Sequence, residues 1–397
     1  GFDATQTGNP SMFEWDESLP TPDWVEIPNT DTKNMNVDEA YALMIRGDRS
    51  TKLNSNTAVG PATTLRFTGS LVVGDQDVAT TNLSSTSGNY NLVANPYQAI
   101  IDAKSLLEST DATDLKSTIY LYDPTLGTQG GYATIDLTQS TPVGTPYDNT
   151  LSGGTEANQF ILPNQAFFVE TIDSDNDSNF EPSLSFKEKH KNTGANFVDT
   201  FSATNILSEM HINLRRQPEN LLVDGVTARF DPKYSNTVNN ADADEVWNFD
   251  EWVALFNSNT YLSIEKRATP VANDTIQIYT GNYQSDSYVW QIDISNINRK
   301  AVLVDTYLDT ETSLNADNKT SIAFDVDSNI PASTDPFRFS IRFTDETLAV
   351  DDPEKTNFAV YPNPVINSQF SITGLANGGN ARIQLFDMSG KLLVTKT

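Results

Sequence analysis

The stretch Phe337–Phe343, FRFSIRF, alternates large apolar residues with polar ones at every second position. A period of two is typical of a β-strand that buries one face, because successive side chains of a strand point to opposite sides of the sheet. Similar short runs recur along the chain between Asn, Asp, Gly and Pro residues: Thr64–Thr68 (TLRFT), Ser117–Tyr122 (STIYLY), Ala166–Thr171 (AFFVET) and Thr275–Tyr279 (TIQIY). The sequence therefore predicts an all-β fold.

Helical patterns are scarce. Tyr97–Glu108 carries Ile100, Ile101 and Leu107 at near-helical spacing, and Asp250–Phe256 (DEWVALF) predicts one or two further helical turns. Neither segment is long enough to organise a domain. Short strands separated by polar turns belong instead to sandwiches and jelly rolls. We therefore expect two consecutive antiparallel β-sandwich or jelly-roll-like domains.

Two compositional breaks divide the chain. Lys187–Ala195 (KEKHKNTGA) is polar and follows a strand-rich region, and Asp345–Asn357 (DETLAVDDPEKTN) is acidic and poor in aromatic residues, as linkers are. These breaks predict a first β-sandwich over residues 1–190 and a second over 191–345. An acidic linker over 346–356 and a short tail over 357–397 follow.

Acidic residues dominate the charge: 53 Asp and Glu against 25 Lys and Arg give a net charge of −28. Such a surface repels phosphate backbones and anionic lipid headgroups, which argues against binding to nucleic acid or to a membrane surface. No apolar run approaches the length that crosses a bilayer, so no transmembrane segment is expected. The absence of cysteine excludes disulfides and Cys-ligated metals, and it is typical of an exported bacterial protein.

No catalytic constellation stands out in the sequence. The two histidines, His190 and His211, are isolated, and without cysteine they do not make a typical zinc site. The chain has no GxSxG, HExxH or P-loop pattern. With so many carboxylates, any chosen glycosidase-like pair is uninformative. We therefore expect no enzyme activity, and no cofactor other than structural calcium.

Two acidic clusters are candidates for that calcium. Asp173, Asp175 and Asp177 alternate as the oxygen ligands of an EF-hand do, although the loop lacks the Gly and Glu that complete the motif. The competing interpretation is a solvated acidic loop. The second cluster comprises Asp242, Asp244, Asp250 and Glu251, beside Trp247.

Four tryptophans are candidates for a sugar-binding platform if they are exposed: Trp24, Trp247, Trp252 and Trp290. A tryptophan in the core of a β-sandwich is the competing interpretation.

The tail from Phe358 reads FAVYPNPVINSQFSITGLANGGNARIQLFDMSGKLLVTKT. Its alternating runs predict three strands joined by Gly- and Asn-rich turns. Pro362 and Pro364 lack a backbone N–H, so we expect Tyr361–Val365 to be a stiff, extended lead-in and not a central strand.

This tail resembles the type A C-terminal sorting domain of the type IX secretion system of Bacteroidetes. The resemblance rests on an ordered series of residues, which it implies to be the sorting signal: Tyr361, Pro362, Asn363, Pro364, Phe370, Gly374, Leu375, Phe386, Asp387, Gly390 and Lys391. The family domain continues with further strands, so the resemblance implies a partial Ig-like β-sandwich that holds its N-terminal half only.

The resemblance also implies a route and its partners. The protein would be exported through the periplasm and across the outer membrane by a SprA-type translocon, and handed to a PorV-like outer-membrane barrel. It would then be extracellular or held at the cell surface. Thr275, within Asp274-Thr275-Ile276, fits a pattern that resembles Bacteroidetes O-glycosylation.

The regions before the tail are similar to a segment that recurs in large Bacteroidetes surface proteins. Among the matching residues are Asn91–Tyr97 (NLVANPY) and Ile161–Val169 (ILPNQAFFV). The first residues lack the features of a signal peptide, so we interpret the chain as part of a longer precursor. The leading hypothesis is a C-terminal export and display segment of an adhesin or gliding-related surface protein. The alternative is a pair of carbohydrate-binding modules at the C-terminal end of a secreted glycan-degrading enzyme.

Overall fold

The computed structural model describes residues 10–35, 39–45, 64, 68–79, 82–147, 155, 157–173, 180–192, 208–315, 319–344, 359–366, 369–373, 383–386 and 392–396. The chain forms two compact units, Gly1–Asp345 and Glu346–Thr397. Nearly all regular structure in the described residues is β-strand, which confirms the predicted all-β fold.

The strands of the first half of the larger unit are short. They are β1 (Met12–Asp16), β2 (Asp23–Glu26), β3 (Tyr41–Leu43), β4 (Gln76–Asp77), β5 (Tyr90–Ala94), β6 (Ile101–Asp102), β7 (Ala112–Thr113), β8 (Leu115–Asp123), β9 (Gly131–Asp136), β10 (Gly144–Thr145), β11 (Phe160–Ile161), β12 (Ala166–Thr171) and β13 (Ser183–Phe186). Five of them form an antiparallel sheet in the order β10-β9-β8-β12-β5. Helix α1 (Ala103–Leu107) and a 3-10 turn (Glu188–His190) accompany these strands.

Helix α1 lies inside the predicted helical stretch Tyr97–Glu108 and is shorter than it. Asp102 caps its first turn, since the Asp102 carboxylate accepts hydrogen bonds from the backbone N–H groups of Lys104 and Ser105 at 3.1 and 3.4 Å. Leu106 and Leu107 are buried. The helix therefore covers part of the first core and does not organise it.

The second half of the larger unit has longer strands. They are β14 (Ser208–Arg216), β15 (Leu221–Phe230), β16 (Ala243–Asp244), β17 (Trp252–Asn257), β18 (Thr260–Arg267), β19 (Thr275–Gly281), β20 (Ser287–Ser295), β21 (Ala301–Asp305), β22 (Thr310–Ser313), β23 (Lys319–Asp325) and β24 (Phe339–Phe343). They form one sheet in the order β22-β21-β24-β19-β17-β18-β15-β14-β20-β23, with β16 beside β18. The pair β15–β18 is parallel and its other ladders are antiparallel.

The predicted helical turns at Asp250–Phe256 are wrong, because Trp252–Asn257 is strand β17. β17 pairs on one side with β18 and on the other with β19, so its backbone groups are used in two ladders. Its residues alternate as a strand requires: Val253 and Leu255 lie in the core, whereas Trp252 and Phe256 are half-buried on the opposite face.

Each half of the larger unit has its own hydrophobic core. One core draws on residues between Leu83 and Phe186, and the other on residues between Met210 and Phe343. The boundary predicted at residue 190 lies between the two cores along the chain, and it stays a prediction.

A polar seam joins the two halves. The Asp136 carboxylate forms ion pairs with Arg229 at 2.6 Å and with Lys266 at 2.7 Å, and all three side chains are buried. Ser263 donates to the hydroxyl of Thr134 at 2.8 Å. Buried charges that are paired and hydrogen-bonded in this way fix the relative position of the elements that carry them. The two halves therefore pack through specific contacts within one unit.

The smaller unit contains two antiparallel hairpins. β25 (Ala359–Ile366) pairs with β26 (Gln369–Thr373), and β27 (Ile383–Phe386) pairs with β28 (Leu392–Lys396). Tyr361–Val365 is extended as predicted, but it is part of a strand and not only a lead-in. The β25–β26 register shifts between Tyr361 and Ile366, across Pro362 and Pro364, where the missing N–H groups interrupt the ladder.

Among the described residues, no helix combines the length and the apolar character that crossing a membrane requires.

Candidate aromatic binding face

Six aromatic rings form a continuous group on the outer side of the second sheet. They are Trp247, Trp252, Phe256, Tyr261, Tyr279 and Phe337, and we call this group the aromatic face. Neighbouring ring centroids are 4.7 to 5.7 Å apart. Trp247 and Phe337 are each 39% exposed. The other four rings are half-buried.

Strand alternation places these rings. In β19, Ile276 and Ile278 point into the core, so Tyr279 lies on the opposite, outer face. The β17–β18 register sets Phe256 directly opposite Tyr261, and their ring centroids are 5.1 Å apart. Cross-strand aromatic pairs of this kind stabilise a sheet and also hold the rings in place.

Trp252 is fixed by two local features. Its indole N–H donates to the carbonyl of Asn248 at 2.8 Å. Its cross-strand partner is Gly281, and a Cβ added there would lie 3.3 Å from Cε3 of the indole. The absence of a side chain at Gly281 lets the indole ring lie against the neighbouring strand. The rings are tilted at 50 to 66° to one another, a geometry that aromatic pairs favour.

A cleft of about 510 Å³ adjoins the aromatic face, with Trp252 and Tyr279 in its wall. The rest of its lining is largely polar: Gly281, Asn282, Tyr283, Gln284, Ser285, Asp286, Val326, Ser328, Thr334 and Pro336. Gln284, Asp286 and Ser328 are exposed at its edge. The cleft thus combines aromatic surface with hydroxyl, amide and carboxylate groups, as ligand sites do.

The hydroxyl of Tyr288 holds the cleft wall at Gln284 and Ser285 in place. Both backbone N–H groups donate to the hydroxyl of Tyr288, at 2.8 and 2.7 Å, and that hydroxyl donates to the Glu251 carboxylate at 2.8 Å. Arg216 completes the network with two hydrogen bonds to the same carboxylate, at 2.7 and 2.6 Å. Burial and the Glu251 carboxylate together raise the pKa of Tyr288, so its hydroxyl keeps its proton.

Two cations on the strands of this sheet are paired. Arg267 contacts Glu265 at 2.8 Å, and Arg342, which lies beside Thr275 on the neighbouring strand, pairs with Glu311. Asp286 adds a carboxylate at the cleft. The local charge therefore matches the acidic balance of the whole chain and disfavours anionic ligands.

The four predicted tryptophans separate into three environments. Trp247 and Trp252 belong to the aromatic face, whereas Trp290 is fully buried between Phe324 and Phe339 in the second core. Trp24 packs instead on Trp15 and Phe168, with ring centroids 5.3 and 5.8 Å away. The core interpretation therefore holds for Trp290, and the exposed one holds for Trp247.

The second acidic cluster is engaged with protein donors. Asp242 accepts hydrogen bonds from the backbone N–H groups of Lys266 and Asn239, at 2.7 and 2.8 Å. Asp250 accepts from the N–H and hydroxyl of Thr128, at 2.5 and 2.8 Å, and these donors help to lower its pKa. Asp244 lies in β16, where it pairs with Leu262 of β18.

In the first acidic cluster, the backbone N–H of Asp173 donates to the hydroxyl of Ser87 at 3.0 Å. Asp175 and Asp177 lie outside the described residues. Within the ranges that the structure describes, no three His, Asp or Glu side chains form a group that could hold a metal ion.

Both histidines have structural partners. Nδ1 of His190 accepts a hydrogen bond from the backbone N–H of Lys187 at 3.0 Å, and burial lowers the pKa of His190. Nδ1 of His211 is 2.9 Å from the hydroxyl of Thr227. These contacts place each histidine in the packing of its own half.

The glycosylation candidate Thr275 is exposed at the start of β19. The sorting-signal candidates lie in the smaller unit. Tyr361, Pro362, Asn363 and Pro364 are in β25, Phe370 is in β26 and Phe386 is in β27. Gly374, Leu375, Asp387, Gly390 and Lys391 lie outside the described residues.

Sequence reasoning missed four members of the aromatic face: Phe256, Tyr261, Tyr279 and Phe337. A signal was present for Tyr279, which shares the alternating run TIQIY with Thr275 and Gln277 on the face opposite its isoleucines. For Phe337 the pattern FRFSIRF indicates the core, but β24 begins only at Phe339 and Phe337 is exposed before it. Alternation shows that such residues share a face with their own strand neighbours. It does not show which strands lie side by side, and that pairing brings the rings together.

The chain matches the family described as Domain of unknown function (DUF8693) over residues 3–321. No curated protein and no solved structure matches it. The matched range covers the first half of the larger unit and the second half up to the start of β23, and it leaves out β24. The chain therefore belongs to the DUF8693 family.

Proposed function

We propose that this chain is an export and display segment of a secreted or cell-surface protein, with no catalytic role of its own. One observation carries the proposal: the ordered series from Tyr361 to Lys391 that resembles a type IX sorting signal. The hairpins β25–β26 and β27–β28 support it, because the described members of the series, Tyr361–Pro364, Phe370 and Phe386, are strand residues of a unit distinct from residues 1–345.

In this proposal, the smaller unit carries the sorting signal and the larger unit is displayed, as part of an adhesin or a gliding-related protein. A SprA-type translocon and a PorV-like barrel would recognise the sorting signal. The strong negative charge of the chain suits a protein that must stay soluble outside the cell. The engaged histidines and acidic residues of the larger unit agree with a binding or structural role.

The experiment expresses the full chain, behind a signal for export to the periplasm, in a bacterium that has a type IX system. Protease added to intact cells should digest the chain if it is held at the surface. If the chain is released, it should be recovered from the medium. In a matched strain that lacks the SprA-type translocon, the chain should remain in the periplasm and resist the protease. Equal surface exposure in both strains would contradict the proposal.

A second candidate function is that of carbohydrate-binding modules in a secreted glycan-degrading enzyme. The observation that favours it is the aromatic face with its adjoining polar cleft. Both candidates use the same export route, so they are distinguished by whether the purified chain binds a glycan.

A further inference from the structure

The aromatic face has the physical features of a recognition surface. Its most exposed rings, Trp247 and Phe337, are connected through Tyr279, whose ring centroid is 5.7 Å from the first and 5.5 Å from the second. Large apolar groups that are contiguous and partly exposed mark interaction sites on soluble proteins. Tryptophan and tyrosine are also the residues that contribute most to binding where they are held rigidly.

The face is rigid. Each ring touches at least one other ring, the Trp252 indole is hydrogen-bonded, and Phe256 is braced by Tyr261 and Phe337 at 5.1 and 4.9 Å. A ligand that binds there pays little for ordering these side chains, because the folded protein has already ordered them.

Aromatic surface alone fits several ligands, and charge separates them. Nucleic-acid bases also stack on aromatic rings, but their phosphates need cationic side chains nearby. Here Arg267, on the strand of Tyr261, and Arg342, opposite the strand of Tyr279, are paired with acidic residues, and Asp286 lies in the cleft. The chain as a whole carries a net charge of −28. An uncharged ligand is therefore favoured over a phosphorylated or sulfated one.

The adjoining cleft narrows the choice further. A purely apolar ligand would form no hydrogen bonds with the polar side chains of Gln284, Asp286 and Ser328 at the cleft edge. A sugar chain fits both surfaces. The C–H groups on one face of a sugar ring carry partial positive charge and pack on the negative face of an aromatic ring. The sugar hydroxyls hydrogen-bond with amides and carboxylates. Amphipathic chemistry of this kind matches the site in both parts.

We infer that the aromatic face and its cleft bind a neutral polysaccharide, which lies across the rings from Trp247 to Phe337 and directs hydroxyl groups toward Gln284 and Asp286. This inference deepens the proposed display function by naming what is recognised, and it rests on that function only for its biological setting. Binding by purified protein is independent of export, so the two can fail separately.

The test uses the purified full chain and affinity electrophoresis through gels that contain one polysaccharide each: starch, xylan, mannan, mixed-linkage β-glucan, or anionic alginate. At least one neutral polysaccharide should retard the wild-type chain. Trp247→Ala and Phe337→Ala should each weaken the binding by roughly tenfold or more, because each removes an exposed ring. Both residues are exposed enough that the fold should survive, which circular dichroism and thermal unfolding check.

The matched control is Tyr122→Ala. Tyr122 is also an exposed aromatic residue, at 45%, but it lies in β8 on the other half of the unit. This variant should bind as the wild type does. A Trp247→Phe variant, which keeps an aromatic ring, should recover most of the binding lost in Trp247→Ala.

Three results would overturn the inference. The first is that none of the neutral polysaccharides retards the wild type, and the second is that alginate binds best. The third is that analytical ultracentrifugation shows a dimer which Trp247→Ala dissociates while polysaccharide binding is unchanged. In that case a second copy of the chain, and not a glycan, covers the face.

Discussion

The guanidinium of Arg338 donates two hydrogen bonds to the carboxylate of Asp305, at 2.8 and 2.7 Å, and both side chains are buried. Arg338 also donates to the carbonyls of Asp325 and Ser333, each at 2.9 Å. Because Phe337 directly precedes Arg338, this ion pair fixes the segment that presents one exposed end of the aromatic face. The same segment contributes Thr334 and Pro336 to the cleft.

We predict that Arg338→Met lowers the free energy of unfolding by about 3–5 kcal/mol, because it leaves the buried carboxylate of Asp305 without its partner. Urea denaturation followed by tryptophan fluorescence measures the change. Arg342→Met is the matched control: its pair with Glu311 is partly exposed, so the cost should be about 0–1 kcal/mol. Equal losses in the two variants would contradict this account of the buried pair.

A second prediction concerns Asp224, which is buried and accepts hydrogen bonds from the backbone N–H groups of Val253 and Gly225 at 2.6 and 2.8 Å. Burial raises the pKa of Asp224 from 3.8 to about 8, and burial together with Asp224 raises the pKa of Glu245. The folded state therefore binds the proton of the Asp224 carboxyl more tightly than the unfolded state does. Its contribution to stability is fully present below pH 3.8 and is lost as the pH rises through about 8.

The measurement is the free energy of unfolding between pH 5 and pH 9. It should fall with rising pH in the wild type, and the fall should be smaller in Asp224→Asn, which cannot ionise at that position. Glu219→Gln, at an exposed site, should follow the wild-type curve. A variant curve at Asp224→Asn with the full wild-type slope would show that this carboxyl is not responsible.

A third prediction concerns the contact of Asp250 with the first half of the unit. Its carboxylate accepts hydrogen bonds from the backbone N–H groups of Thr128 and Gln129, at 2.5 and 3.2 Å, and from the Gln129 amide at 3.0 Å. Asp250→Ala should cost about 2–3 kcal/mol, because these donors lose a charged acceptor. Amide hydrogen exchange at Thr128 and Gln129 should become faster, whereas Asp286→Ala should leave it unchanged.

A fourth prediction is that Thr275 carries a sugar when the chain is produced in a Bacteroidetes host. Its exposure at the start of β19 leaves room for the modification. Mass spectrometry of the intact chain should show a mass loss in Thr275→Ala. Thr310→Ala is the control, because Thr310 is exposed and follows an aspartate but precedes Glu311. Identical masses, apart from the substitutions, would remove the prediction.

Local pattern was sufficient for the fold class and insufficient for the site. FRFSIRF reads as a half-buried strand, and Phe339, Ile341 and Phe343 are indeed buried in β24. The helical turns predicted for DEWVALF are wrong because a short apolar run fits a helix as well as a strand, and pairing on both sides makes this segment a strand.

The tryptophans show the same limit. Trp290 alternates with Tyr288 and Ile292 in SYVWQIDIS, and its burial agrees with that pattern. Trp247 lies outside the strands, and no local periodicity indicates its exposure. Phe337 reaches Tyr279 only because residues far apart in the sequence meet when β24 pairs with β19. Such long-range pairing is not encoded in local periodicity.

The central claim is that the chain carries a sorting signal for export to the cell surface. A truncation in a bacterium with a type IX system tests it most directly. The full chain and a chain that ends at Asn357 are each expressed behind the same periplasmic export signal, and their distribution among periplasm, cell surface and medium is measured by fractionation and immunoblotting. Equal thermal unfolding of the two purified chains controls for damage to residues 1–345. The account predicts that the full chain reaches the surface or the medium and that the truncated chain accumulates in the periplasm. Surface delivery of the truncated chain at the level of the full chain would contradict it.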